Sequence, residues 1–354
     1  MKNGWSAVVR LIAPTACIGV IAALFCSVRP LSPLEVGRYA AAVGAALSHP
    51  KESALYMSEH LVSEQSTAQS LSLPFADSGA AAETAAHIIP PKGDGGGTVS
   101  EQNIEGGTPV VGKVSVKNHS GVSFAYADLF EKDVLKAATD GPQVLIAHTH
   151  ATECYMSYYA GYYNEDDRTR TTDNTANVTA VGEALAQELR ACGIGVVHAT
   201  DQHDHPEYTG AYVRSEETIQ RYLKEYPSIR VVLDVHRDAI LQDDLTKVKP
   251  TVTVDGCKAA QVMVVVGATD TEELPNAYCK ENVGLGLQLH HAMEEAYEGI
   301  MRPLYLVDAR YNQGLLAGSL LLEVGTDANT LSEALYSGRL VGKQLALLLG
   351  GADS

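Results

Sequence analysis

The sequence predicts an α/β domain of three layers, with a mostly parallel sheet covered by helices on both faces. Two observations carry this. From about Val111 onward, short runs rich in Val, Ile and Leu recur, and most are continuous rather than alternating. Such runs suit strands buried on both faces. Between them lie longer stretches of helical period, so strand and helix alternate as in a sheet built by crossover connections.

Taken in order, "VLIAHTH" reads as the first buried strand and "NTANVTAVGEALAQELRACG" as an amphipathic helix closed by Gly193. "IGVVHAT" is a second strand, "SEETIQRYLKEYP" a helix and "IRVVLDVHRD" a third strand. "AQVMVVVGA" follows as a strand and "NVGLGLQLHHAMEEAYEG" as a helix. "GSLLLEVG" is the last strand, and "NTLSEALYSGRLVGKQLALLL" closes the chain as a helix whose Thr330 and Glu333 have capping-box spacing.

Ahead of this domain, "LIAPTACIGVIAALFCSV" (Leu11 to Val28) is apolar and uncharged, with Lys2 and Arg10 before it and Arg29 after it. Roughly eighteen such residues reach the lower limit for spanning a bilayer. The following "LFCSVRP" offers no small-x-small cleavage site, so an uncleaved anchor over residues 11–28 is expected. The basic flank keeps residues 1–10 cytoplasmic and places the remainder outside. Residues 29–110 begin with an Ala-rich stretch and continue as Ser-, Ala-, Gly- and Pro-rich sequence without a period, which predicts a flexible tether. Residues 111–354 form the predicted folded domain.

The formal charge of −17 argues against nucleic acid, because no basic face replaces phosphate counterions. Of the six cysteines, Cys17 and Cys26 lie in the apolar segment, and Cys154, Cys192, Cys257 and Cys279 show no CxxC spacing. Zinc binding through sulfur is therefore not expected, while a disulfide among these four is left open.

Three predicted strands end in ionisable groups: His148, His150 and Glu153 after the first; Asp234, His236, Arg237 and Asp238 on the third; Glu323 on the last. Parallel strands bring such ends to one edge of the sheet. Two imidazoles and a carboxylate occupy three positions of a tetrahedral Zn²⁺ and leave one for water. A further carboxylate then takes the water's proton. The expected ligands are His150, Glu153 and His236, with Glu323 as the proton carrier. His148 lies two residues before His150 and points to the same side of the strand, and is either the alternative ligand or support behind it. Arg237 and Asp238 are expected beside substrate or behind the ligands.

An HxxE spacing alone is weak evidence in a chain with twelve histidines. Glu323 is the sharper signal, since a carboxylate among buried aliphatics is costly unless paired or functional. "DQHDHPE" is expected in a polar loop, solvated or facing substrate, and His290 and His291 in packing or surface roles. "CYMSYYAGYY" either lines a groove or covers the sheet.

With these residues in place, the chain resembles the stage II sporulation protein P family of bacterial cell-wall hydrolases. The matching pieces are "HTHATE", "NVTAVGEALAQELRACGIGVVH", "TGAYVRSEETI", "VLDVHRD", "YNQGL" and "LLLEVGTDANTLSEA", in order over most of residues 111–349. The resemblance implies an amidase or zinc-carboxypeptidase-like fold and a zinc-dependent N-acetylmuramoyl-L-alanine amidase acting on peptidoglycan, with an added cross-link endopeptidase activity attributed to the family. It implies an anchored enzyme at the septal membrane during engulfment, beside stage II sporulation proteins D and M. The zinc site carries over onto the His pair and Glu of "HTHATE", His236 and Glu323, and the "HATE" spacing favours His150 over His148. "YLVDARYNQGLLAGS" matches only loosely, and Thr326 stands where Gly is expected. Two competing readings are a zinc peptidase or deacylase acting on another amide, and a non-catalytic tethered wall-binding scaffold.

Overall fold

The computed structural model describes residues 89–351, apart from residue 94, residues 136–137 and residues 269–275. The anchor expected over residues 11–28, the segment before it and most of the tether lie outside the described residues. Among the described residues no helix is long and apolar enough to cross a membrane.

The central sheet is built from β2 (Thr108–Val111), β3 (Val114–Asn118), β4 (Val144–Ala147), β6 (Val196–His198), β7 (Val231–Asp238), β10 (Val262–Gly267), β11 (Leu304–Val307) and β12 (Ser319–Thr326). Its eight strands run in the order β2-β3-β11-β10-β12-β7-β4-β6. Only β2 with β3 and β10 with β12 pair antiparallel, so the sheet is mostly parallel as expected. The helices are α1 (Tyr126–Phe130), α2 (Val178–Ala191), α3 (Ala211–Glu225), α4 (Cys279–Ala296) and α5 (Leu331–Leu348).

Strand periodicity divides the core between two faces. Val144 and Ile146 of β4 pack with Val181, Leu185 and Leu189 of α2, Leu285 and Leu289 of α4 and Leu345 of α5. Leu145 and Ala147 point the other way, onto Ile219 of α3. Three layers result. Each fully buried Leu contributes about 1.5–3 kcal/mol relative to exposure. Asn177 starts α2 by accepting from the Thr179 N–H, and Gly193 follows its end at φ 82°. Thr330 and Glu333 form the expected capping box of α5.

A second sheet was not foreseen. It contains β1 (Gly97–Gln102), β5 (Tyr162–Tyr163), β8 (Thr246–Val254) and β9 (Cys257–Ala260), in the order β5-β1-β8-β9. With β1 and all but the last residue of β2 inside residues 29–110, the folded part begins earlier than the expected boundary at residue 111. The physical reason is pairing: β1 bonds to β8 from Thr98 to Gln102, which offsets its chain entropy. Its glycine is a packing requirement, since a Cβ on Gly97 would stand 2.0 Å from the Leu245 carbonyl oxygen. Cys154, Cys192, Cys257 and Cys279 form no disulfide with one another.

Candidate functional site

β7 lies between β12 and β4, and all three run parallel, so their carboxyl ends share one edge. Ala147 stands beside Asp234, and Glu323 beside His236. The edge thus collects the end of β4, the middle of β7 and Glu323.

β4 stops at Ala147, and the chain turns through Thr149 and His150. Asp234 fixes this turn by accepting from the Thr149 N–H at 2.8 Å and from its hydroxyl at 2.6 Å. The turn breaks strand alternation, so the expected common side for His148 and His150 is lost. His148 packs under α2, with Nδ1 2.9 Å from the Val235 carbonyl oxygen and Nε2 2.9 Å from His198 Nε2. A Cβ on Gly182 would lie 2.6 Å from that Nε2, so the glycine makes room for the ring. His198 in turn reaches Glu183 Oε2 at 3.0 Å. Both nitrogens of His148 are committed, which leaves it none to offer a ligand.

His150 faces the opposite way. Its ring stacks on Tyr208 at 4.5 Å and meets His236 edge to face at 5.3 Å. Its Nδ1 is sealed from solvent without a hydrogen-bond partner. Burial, reinforced by His236, pushes its pKa down to about 4.

His236 sits between two carboxylates. Nδ1 is 3.4 Å from Glu153 Oε2, and Nε2 is 2.9 Å from Asp234 Oδ1 but without hydrogen-bond alignment. Burial opposes charge on this ring, yet Asp234 and Glu153 together raise its pKa well above the ordinary value. Burial likewise opposes ionisation of Glu153, and its contact with His236 and the Arg237 charge overcome that, holding the carboxyl well below its usual range. Asp234 behaves alike and falls to about 2, burial being outweighed by His236 and the two Thr149 bonds.

Glu323 is the contrast. The residue keeps some exposure, but its Oε2 is sealed and makes no hydrogen bond. Burial, with Asp238 and Glu153 nearby, raises its pKa to about 8 against the opposing pull of His236. Arg237 is a brace within the protein. Its N–H donates to Glu153 Oε2 at 3.2 Å, and its guanidinium holds the carbonyls of Cys154 and Thr169 at 3.2 and 2.7 Å. Asp238 pairs with Arg302 at 2.8 Å.

Several residues at the site carried no assigned role in the sequence. Arg170 pairs with Asp204 at 2.8 Å, lies 3.7 Å from Glu153 Oε1 and stands over the Tyr208 ring at 4.9 Å. Asp204, in the polar loop expected to be solvated or to face substrate, is buried and also accepts from the Thr152 hydroxyl at 2.5 Å. The "DQHDHPE" motif pointed to that stretch without revealing its burial, and Arg170 had no signal beyond being a loop arginine. A hydrogen-bonded chain also runs into the site. Asn312 Nδ2 donates to Ser215 Oγ at 2.6 Å, Ser215 meets Thr149 Oγ1 at 2.8 Å, and Thr149 donates to Asp234. Because the carboxylate only accepts, Thr149 spends its proton there and accepts from Ser215.

Sealed atoms without a hydrogen bond occur on His150, His236 and Glu323, at the ends or edges of three adjacent strands, and the His236 atom lies 2.9 Å from Asp234 Oδ1. Imidazole nitrogens beside an ionised carboxylate are the donor set Zn²⁺ takes, so the residues present fit such an ion. Among the described residues, no three His, Cys, Asp or Glu donors already stand at metal-binding separation.

Fold and site together define an α/β protein with a buried histidine–carboxylate cluster at the carboxyl edge of its central sheet. The family model described as Stage II sporulation protein P (SpoIIP) matches residues 50–346, and the chain belongs to that family. Three solved structures are similar in part. The N-acetylmuramyl-L-alanine amidase Ami1 of Mycobacterium smegmatis is 13% identical, with 60% of this chain and 99% of that one covered at a TM-score of 0.35. An N-acetylmuramoyl-L-alanine amidase of Clostridium difficile 630 is 12% identical, with 59% and 96% covered and a TM-score of 0.32. The CwlD amidase of Clostridioides difficile, solved in complex with the GerS lipoprotein, is 14% identical, with 58% and 98% covered and a TM-score of 0.30. Scores this low carry no weight for mechanism. No curated protein matches the chain.

Proposed function

We propose that this chain is a membrane-anchored, zinc-dependent N-acetylmuramoyl-L-alanine amidase that cuts peptidoglycan during sporulation. Its catalytic domain would lie outside the cytoplasm at the septal membrane, with stage II sporulation proteins D and M as partners. Family membership supports the sporulation setting. The observation that carries the chemistry is the meeting of His150, Glu153, His236 and Glu323 at one sheet edge, with sealed atoms that make no hydrogen bond on three of them.

His150, Glu153 and His236 would hold the ion, which when bound supplies Lewis-acid polarisation of the scissile carbonyl and of a water. Glu323 takes the proton of the attacking water and delivers it to the leaving nitrogen. Asp234 orients the His236 ring, and Thr149 holds Asp234 in turn. Arg237 and Arg170 keep Glu153 anionic and aimed.

Purified sacculi treated with the full-length chain, with and without a chelator, test this reading. Mass spectrometry should find free stem peptides bearing an N-terminal alanine, lost on chelation and recovered with added Zn²⁺. Products cut only within the stem would favour a peptidase. The absence of any released fragment would leave the scaffold reading.

A further inference from the structure

A groove of about 410 Å³ opens beside the cluster, lined by Tyr212, Val213, Glu216, Arg310, Tyr311 and Asn312. It adjoins the site, since the Tyr212 ring meets His150 edge to face at 5.5 Å. Two features make its wall a built surface. The Tyr212 and Tyr311 rings pack against each other in it, their centroids 5.7 Å apart and tilted by 40°. Tyr311 also has φ of 52°, a left-handed conformation that a bulky side chain adopts only when neighbours hold it. The holding contacts are Arg310 Nε to the Tyr311 carbonyl at 3.3 Å, and Asn312 Nδ2 to the Tyr212 carbonyl at 3.0 Å and to Ser215 Oγ at 2.6 Å. The same Asn312 heads the hydrogen-bonded chain that ends on Asp234.

The charges on this wall are set for exchange. Arg310 Nη2 is 3.4 Å from Glu216 Oε2, and both side chains are 29% exposed. A long, half-exposed pair of this kind is weak in water. A ligand carboxylate met by the guanidinium fork would form a shorter, charge-assisted contact. The protein's formal charge is −17, so a guanidinium held at the mouth of the site stands out as a receptor for an anion. A glycan strand offers mainly hydroxyls and neutral amides. A stem peptide offers carboxylates and an ammonium group, the complement of Arg310 and Glu216.

We propose that this groove binds the peptide side of the substrate, with Arg310 taking a stem-peptide carboxylate, Glu216 an ammonium group, and the paired Tyr212 and Tyr311 rings forming the wall the peptide lies against. The assignment rests on the amidase reading, and it makes the enzyme sensitive to amidation of the stem. Two probes separate them: L-alanyl-γ-D-glutamyl-L-lysine with its glutamyl α-carboxylate free or as the carboxamide, used alone and attached to the disaccharide. With the full-length protein, the free acid should bind about tenfold more tightly than the carboxamide, and kcat/KM on the attached forms should differ similarly. Arg310→Ala should erase the difference, and Arg310→Lys should retain part of it. Peptide binding that discriminates through Arg310 without any turnover would sink the amidase reading and keep the groove. Turnover without discrimination in the wild type, or discrimination that survives in Arg310→Ala, would overturn the groove.

Discussion

Replacing Thr149 by Val removes one hydroxyl while keeping shape and volume. Thr149 is fully buried, and its hydroxyl donates to Asp234 Oδ2 at 2.6 Å while meeting Ser215 Oγ at 2.8 Å. Without it, Asp234 keeps the Thr149 N–H on Oδ1, but Oδ2 loses its donor in a buried setting. Loss of a hydrogen bond to a charged group costs about 1.5–3 kcal/mol. Thr149→Ser provides the control, since it keeps the hydroxyl and removes a buried methyl, worth about 0.8 kcal/mol. Urea unfolding of chelator-treated protein at pH 7 should therefore rank wild type above Ser and Ser above Val. Chelation keeps a bound ion from masking the difference. Activity should follow the same order, because an unanchored Asp234 no longer fixes His236. If Val proves at least as stable as Ser, alkyl packing holds this turn, and the Asn312–Ser215–Thr149–Asp234 chain does not position the site.

Two further outcomes concern the scaffold. His290 is buried in α4, and burial, outweighing the nearby Arg302 backbone, pushes its imidazole down to about 4. Below its ordinary pKa of about 6.5 the unfolded chain takes up a proton that the folded state refuses. Stability should therefore fall as pH drops from about 6.5 to 4, by about 3 kcal/mol from this group, and level off below. His290→Met should flatten the stability curve across that window, and a curve parallel to wild type would refute the assignment. Lys249 is fully buried and pairs with Glu333 at 2.6 Å. Lys249→Met should cost about 3 kcal/mol in denaturant unfolding, and adding Glu333→Gln should recover at least half by removing the stranded charge; no recovery would refute the pairing.

What the sequence made legible follows from how local each signal is. β4, β7 and β12 were readable because their continuous aliphatic runs have few other uses, and α2 and α5 because their apolar spacing and caps lie within one segment. The meeting of His150, His236 and Glu323 was readable as a consequence of parallel strands. β8 was missed because "TKVKPTVTV" contains Lys249 and Pro250, which argue against a strand. Only the fold reveals that Glu333, 84 positions later, neutralises that lysine. Arg170, Asp204 and Tyr208 reach the site from loops, where no period marks direction. His148 was misdirected by extending strand alternation past Ala147, where the Asp234 bonds to Thr149 turn the chain.

The division of labour between the two glutamates rests on their opposed surroundings. Both approach His236: Glu153 from the turn after β4 and Glu323 from β12. Glu153 is opposed by burial, but its contact with His236 and the Arg237 charge outweigh that and keep it ionised, while the Arg237 N–H and Arg170 approach its two oxygens. Glu323 receives no such bond on its sealed Oε2, and burial, with Asp238 and Glu153 nearby, raises its pKa to about 8 against the pull of His236. A carboxyl that binds metal must be ionised at neutral pH, whereas a proton carrier must gain and lose its proton close to neutrality. Carboxylates whose environments drive them apart in this way indicate which does which. Glu153→Gln should therefore lower Zn²⁺ content measured by mass spectrometry and activity together. Glu323→Gln should retain the ion and lose turnover by at least about a hundredfold. If instead Glu323→Gln empties the protein of zinc while Glu153→Gln stays loaded, the two roles are reversed, and burial rather than charge selects the ligand.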